Sequence, residues 1–240
     1  MDADVPERVS TRRSFSAGVV AIAPVILGII PFGLVAGVAA VEAGLGLPEA
    51  IGFSTVVFAG ASQLAALDLV GAGAPVGVAV MTAVVINLRM AMYSAALAPW
   101  LADRPPSRRA LASYLLTDQA FAVSVARFAE SGRQRVDPLA FYLGTAVALW
   151  VTWQITTVLG VQVGAAVPDT VPLGFAVPLA FLALLVPSIT DRPSLAAALV
   201  GGTVAVVGAP LPANLGMPLG AVSGVAVGYL LVRWQRQAAA

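Results

Sequence analysis

The 240-residue chain has no cysteine and no histidine, and all thirteen of its cationic side chains are arginine; lysine is missing. Without cysteine there are no disulfides and no thiolate metal sites. Without histidine the commonest metal ligand and the commonest general base are gone, which excludes a Ser–His hydrolase and a His-ligated metalloenzyme. No cofactor or metal is expected. Charge is scarce as well: Asp, Glu and Arg make up 10% of residues, against about 25% in soluble domains. The net charge of +1 gives no field to attract a polyanion, so nucleic acid is excluded as a partner.

What fills the chain instead is apolar. Hydrophobic residues account for 59% of it, and mean hydropathy is +0.92. A membrane helix needs about 20 such residues. The composition predicts an all-α, polytopic transmembrane bundle in the lipid bilayer. Residues 1–13 form a polar N-terminal segment, 14–232 a single transmembrane domain and 233–240 a C-terminal tail.

Residues 14–41 carry no charge and are too long for a signal-peptide core. Pro24 and Pro31 lie inside this span, and Pro31-Phe32-Gly33 is expected to kink or break it. Residues 42–49 make a short acidic loop. Residues 50–67 are interrupted by Gly60-Ala61-Ser62-Gln63. Residues 76–98 and 138–160 read as full spans, and 110–126 is interrupted by Thr117-Asp118-Gln119. Residues 161–174 read as a loop and 175–186 as a short segment. Residues 193–232 are uncharged and split by a turn at 208–214.

Arginine placement sets the orientation. Arginines sit in the N-terminus, 99–109, 127–137, 191–192 and the C-terminus, while 42–49, 161–174 and 208–214 have none. This pattern is consistent if 50–70 enters and leaves on the outer side and 110–126 does so on the inner side. About six full crossings result, with both termini cytoplasmic. Eight crossings is the alternative, placing only 99–109 outside. Trp100 and Trp234 read as interface anchors, Trp150 and Trp153 as bundle or lipid contacts.

Charged groups inside apolar segments cost about 2.5–3.5 kcal/mol each at a helix centre, so they face a cavity or a partner. Asp68, Arg89 and Asp118 are the three candidates. Thr82, Arg89 and Tyr93 share a helix face by spacing, and Tyr114, Asp118 and Ser124 lie roughly on another. Arg89 and Asp118 either pair to fix helix packing or line a transport path. Gly60-Ala61-Ser62-Gln63 and Pro31-Phe32-Gly33 either allow close helix contact or break helices to expose backbone groups to a substrate.

Several stretches in order resemble the AzlC family of branched-chain amino-acid permeases. They are Ser14-Phe15-Ser16-Ala17-Gly18, Pro31-Phe32-Gly33-Leu34, Val57-Phe58-Ala59-Gly60-Ala61-Ser62-Gln63, Asn87-Leu88-Arg89, Leu97-Ala98-Pro99, Leu116-Thr117-Asp118 and the run from Pro178 to Pro187. The resemblance implies a secondary exporter of branched-chain amino acids working with a small membrane subunit of the AzlD type. Two positions depart from the family pattern: Met90 where His is common, and Gln119 where Glu is common. Asp118 is then the main deep carboxylate.

The sequence therefore points to a transporter subunit, not an enzyme. Its expected path residues are Phe32, Gly33, Phe58, Gly60, Ser62, Gln63, Asn87, Arg89, Tyr93, Thr117, Asp118 and Gln119. Arg89 or a broken-helix N-terminus would meet a substrate carboxylate. Asp118 or carbonyls near Gly60 would meet an ammonium, and Phe32 and Phe58 would hold an apolar tail. The alternatives are a channel or exporter for another small organic solute, or a non-transporting assembly subunit. An intramembrane aspartyl protease built on Asp68 and Asp118 fits poorly, since no Gly-x-Gly-Asp element is present.

Overall fold

The computed structural model describes residues 10–131, 136–167, 189–210 and 216–238, together with Leu182 and Leu185. Every described element is an α-helix. Contacts gather into two units, Met1–Ala180 and Phe181–Ala240. The first contains α1 (Thr11–Glu42), α2 (Leu47–Val56), α3 (Gly60–Gly71), α4 (Val76–Asn87), α5 (Arg89–Leu101), α6 (Pro106–Tyr114), α7 (Asp118–Ser131) and α8 (Pro138–Ala166). Thr11–Glu42, Val76–Leu101 and Pro138–Ala166 are long and apolar enough to cross a membrane.

The break expected at Pro31-Phe32-Gly33 is absent: α1 runs through Pro24 and Pro31. Each proline deprives the carbonyl four residues back, Val20 or Leu27, of its N–H partner. Both of those residues are largely exposed, and the opposite face is fastened to α8. A neighbouring helix of this kind is what lets proline persist inside membrane helices.

The α1–α8 contact is a backbone-to-backbone seam. A Cβ on Gly18 would strike the Phe141 carbonyl, and one on Gly144 the Phe15 carbonyl. Further along, a Cβ on Gly37 would strike the Thr157 carbonyl and one on Gly160 the Leu34 carbonyl. Small residues permit this approach, which in lipid supplies the packing that hydrophobic burial cannot. The contacts climb both helices together, so α1 and α8 run parallel. Where both begin, the Asp137 N–H donates to Ser14 Oγ at 3.0 Å, and the Asp137 carboxylate caps α8 through Leu139 and Ala140. Residues 161–166, expected in a loop, are the last turns of α8; Gly164 rests on Val38 and Val41 of α1.

The end where α1 and α8 begin is the basic end, carrying Arg12, Arg13, Arg104, Arg108, Arg109 and Arg127; Glu42 and Glu49 lie at the far end. The two interrupted segments enter from opposite ends. After residues 43–46, α2 descends from the far end until the backbone carbonyl and hydroxyl of Ser54 reach Gln154 and Trp153. From there α3 starts beside Phe32 and Trp153 and climbs back until Gly71 lies 3.6 Å, by its would-be Cβ, from Ala43. The second segment mirrors this. Arg104 pairs with Asp137 at 2.8 Å at the basic end, α6 climbs past Tyr142 to Tyr114, and α7 descends past Thr145 to Phe141. Each segment thus turns back towards the end from which it started.

The span expected over residues 76–98 is divided. At Leu88 the ladder tightens: its N–H donates to Val85 and its carbonyl accepts from Ala91, both three residues away. This hitch separates α4 from α5.

In the second unit, α9 (Arg192–Val207) opens on a reciprocal capping box between Asp191 and Ser194. It packs antiparallel on α10 (Gly216–Ala238) through Ala197, Gly201 and Gly208 against Gly228, Gly220 and Gly216. α10 runs on through residues 233–238, and Trp234 is exposed. Arg8, Arg133, Arg135, residues 168–174, most of 175–188 with the Pro178–Pro187 stretch, and residues 211–215 lie outside the described residues.

Candidate functional site

The two fold-back segments meet by their tips. Tip one is residues 57–59, between α2 and α3; tip two is 115–117, between α6 and α7. The Tyr114 hydroxyl donates to the Thr55 carbonyl at 2.7 Å and accepts from Trp150 Nε1 at 3.1 Å. Trp153 Nε1 reaches both Ser54 Oγ, at 3.0 Å, and Gln63 Oε1, at 3.3 Å. Thus α8 holds tip one from one side while tip two touches it from another.

The first turn of the returning helix shapes each tip. Thr117 caps α7, its hydroxyl accepting the Ala120 N–H at 3.2 Å, so the polar Thr-Asp-Gln run begins a helix rather than interrupting one. Ala59 precedes α3 with no side chain to cap it. Instead Ser62 Oγ turns back to the Ala59 carbonyl at 2.9 Å and accepts from Asn87 Nδ2 at 2.9 Å. That bond ties tip one to the hitch. Gly60 is needed because a Cβ there would lie 2.5 Å from the Phe32 ring and 3.0 Å from that of Trp153.

Two ion pairs differ in kind. Arg104 and Asp137 lie at 2.8 Å, the length expected of a charge-assisted bond. Arg89 and Asp118 lie at 3.4 Å, with side chains 36% and 38% exposed. Arg89 Nε, Asn87 Oδ1 and Gln63 Nε2 are buried without a partner among the described residues. Unused capacity of this sort next to an open ion pair is uncommon in a purely structural cluster.

A cleft of about 590 Å³ opens between the tips and the hitch. Phe58, Ala59, Asn87, Leu88, Tyr114 and Leu116 line it, and valines of α2 and α4 form one wall. Of the expected path residues, Phe58 and Asn87 face it. Arg89, Thr117, Asp118 and Gln119 stand at the hitch and tip two beside it. Ser62 and Gln63 are buried beneath tip one. Phe32, edge-on to Trp153 at 5.5 Å, and Gly33, against Thr156, belong to the α1–α8 seam rather than to the cleft. Tyr93 stacks on Phe121 at 4.6 Å, one turn below Arg89. Asp68 is exposed near the far end of α3, and the tip separates Tyr114 from Asp118, which do not share a face.

Sequence reasoning left Ser54, Tyr114 and Trp153 out of the site. The available signal was the Trp150–Trp153 pair, since two indole N–H groups inside an apolar span each demand an acceptor.

The family model for AzlC proteins matches residues 24–167, from the middle of α1 to the end of α8. The chain belongs to the AzlC family. Both tips, the hitch and the cleft fall inside the match. A relative in Escherichia coli strain K12, the inner membrane protein YgaZ, is 27% identical over 243 residues, covering 98% of each chain. An uncharacterized membrane protein of Archaeoglobus fulgidus is 33% identical over 224 residues, covering 92% of this chain and 94% of its own. No solved structure matches. These likenesses and the apolar helices make this AzlC chain a membrane protein of the transporter type.

Proposed function

We propose that the chain is the large subunit of a secondary transporter that exports branched-chain or other small neutral amino acids. It acts with a small membrane subunit of the AzlD type, in the inner membrane, with both termini cytoplasmic and without catalytic chemistry. The observation that carries this reading is the loose Arg89–Asp118 pair beside an apolar cleft. A zwitterion presents the same two charges as that pair, plus a tail. Its carboxylate would take the Arg89 fork in place of Asp118, and its ammonium would meet Asp118 and the idle Asn87 Oδ1. The tail would rest on Phe58, Leu116 and the valine wall.

Uptake and efflux of labelled leucine, valine and isoleucine in proteoliposomes, with and without the partner, test it. Saturable leucine flux that unlabelled valine and isoleucine suppress is the expected result. Flux of other small organic solutes with none of these three would favour a different exporter and overturn the substrate assignment.

A further inference from the structure

The first unit contains the same device twice, pointing in opposite directions. In the first, α1 climbs to the far end, a four-residue turn at 43–46 comes next, and α2, tip one and α3 fold back from that end. In the second, α4–α5 descends to the basic end, a four-residue turn at 102–105 comes next, and α6, tip two and α7 fold back from there. Both tips are three residues long. Glu42 and Leu101, where the long arms end, are 59 residues apart; Gly60 and Asp118, where the returning helices start, are 58 apart. So constant an offset, with turns and tips of equal length, marks an inverted repeat. In transporters such repeats exchange conformations to open a central site to one side and then the other.

The two copies differ at one matched place. The second long arm has its hitch at Leu88. Moved back by the same 58 or 59 residues, that hitch falls on Ile29 and Ile30, immediately before Pro31. In this structure α1 is continuous there. Yet the turn ending at Pro31 already lacks one ladder bond, because proline cannot donate to the Leu27 carbonyl. Pro24 maps instead to the uninterrupted middle of α4.

We infer that Pro31 and Leu88 are equivalent hinges, and that the alternate state of the protein bends α1 at Pro31 while the hitch at Leu88 straightens. The Tyr114–Thr55 contact between the tips is made in the present state and parts in the exchange. Where the amino-acid reading holds, this exchange is what passes the substrate from one side to the other.

The missing cysteines make the test direct. Spin labels on cysteines placed at Val20 and Leu47, both exposed, bracket Pro31 along α1 and just past its end. In lipid nanodiscs with no solute added, the wild-type background should give two distances. Pro31→Ala should fold with normal yield, collapse the distribution to the longer distance, and lower transport at least tenfold. Pro24→Ala should change neither. A single distance shared by wild type and Pro31→Ala, or two distances that persist in Pro31→Ala, would overturn the hinge. Because the distances need no substrate, they answer separately from the transport assay: two distances with no amino-acid flux would sink the substrate reading and leave the hinge standing.

Discussion

Arg89 and Asp118 put the structural and the functional roles of an intramembrane charge in direct opposition. Breaking a buried ion pair costs about 3–5 kcal/mol, whereas an exposed pair is worth about 0–1 kcal/mol. More than a third of each side chain is uncovered; where those faces meet a hydrated path, as the proposed function requires, the pair stands nearer the second case. Arg89→Gln and Asp118→Asn should therefore each fold with yields close to wild type and lose transport, and the double change should stay inactive. Arg89→Lys should be a partial substitute, since an ammonium lacks the planar fork that grips a carboxylate. Size-exclusion profiles with transport rates check this; wild-type transport by a well-folded double mutant would show that the pair is structural. At this scale the sequence was informative because charge inside apolar runs is rare. It missed Ser54 and gave Tyr114 the wrong neighbours, because their contacts come from partners 99 and 59 residues away.

Helices are where glycine spacing becomes testable. Replacing Gly160 by Leu drives a side chain into the Leu34 carbonyl, whereas Gly28 has open space around it. Overpacking typically costs about 1–3 kcal/mol, and more where only backbone can yield. Gly160→Leu should sharply lower folded yield and thermal stability in detergent, and Gly28→Leu should leave both close to wild type. The elements themselves were mostly legible. Polar residues inside apolar segments announced both tips, but tip one lies just before Gly60-Ala61-Ser62-Gln63 and tip two ends on Thr117 itself, because Ser62 and Thr117 fold back to begin the next helix. The hitch at Leu88 left no trace, since Asn87-Leu88-Arg89 contains neither glycine nor proline. Pro31 gave the opposite error: the residue is a helix breaker, and the α1–α8 seam outweighs it in this state.

For the whole molecule, arginine counting anticipated that residues 99–109 share an end with residue 137, and the Arg104–Asp137 pair places them together. Single cysteines introduced at Arg104 and Asp137 should react with a membrane-impermeant thiol reagent from the same side of inverted vesicles, along with a cysteine appended to the C-terminus. Labelling from opposite sides would contradict the fold-back of α6 and α7. A second expectation concerns assembly. Among the described residues of the first unit the Val76–Leu101 arm is little covered, and Val78, Met81, Val85 and Met92, none of which lines the cleft, are exposed. Co-expression with an AzlD-type subunit should yield a complex in mild detergent and raise transport. Full activity of the isolated chain in liposomes would show that no such subunit is required.

The parallel seam between α1 and α8 also sets an order of construction. Ser14 meets Asp137 across 123 residues of chain. At about 5–20 residues per second, ribosomal synthesis leaves roughly 6–25 s during which α1 is in the membrane and its partner is not yet made. Throughout that interval Gly18, Gly33 and Gly37 offer bare backbone to lipid or to whatever protein attends insertion. Both fold-back segments emerge within the same interval, before the helix that holds tip one exists. A nascent chain stopped at residue 131 should therefore be degraded quickly in pulse-chase, and one extended to residue 167 should persist. That eighth helix is the keystone of the first unit, and the seven before it wait for its arrival.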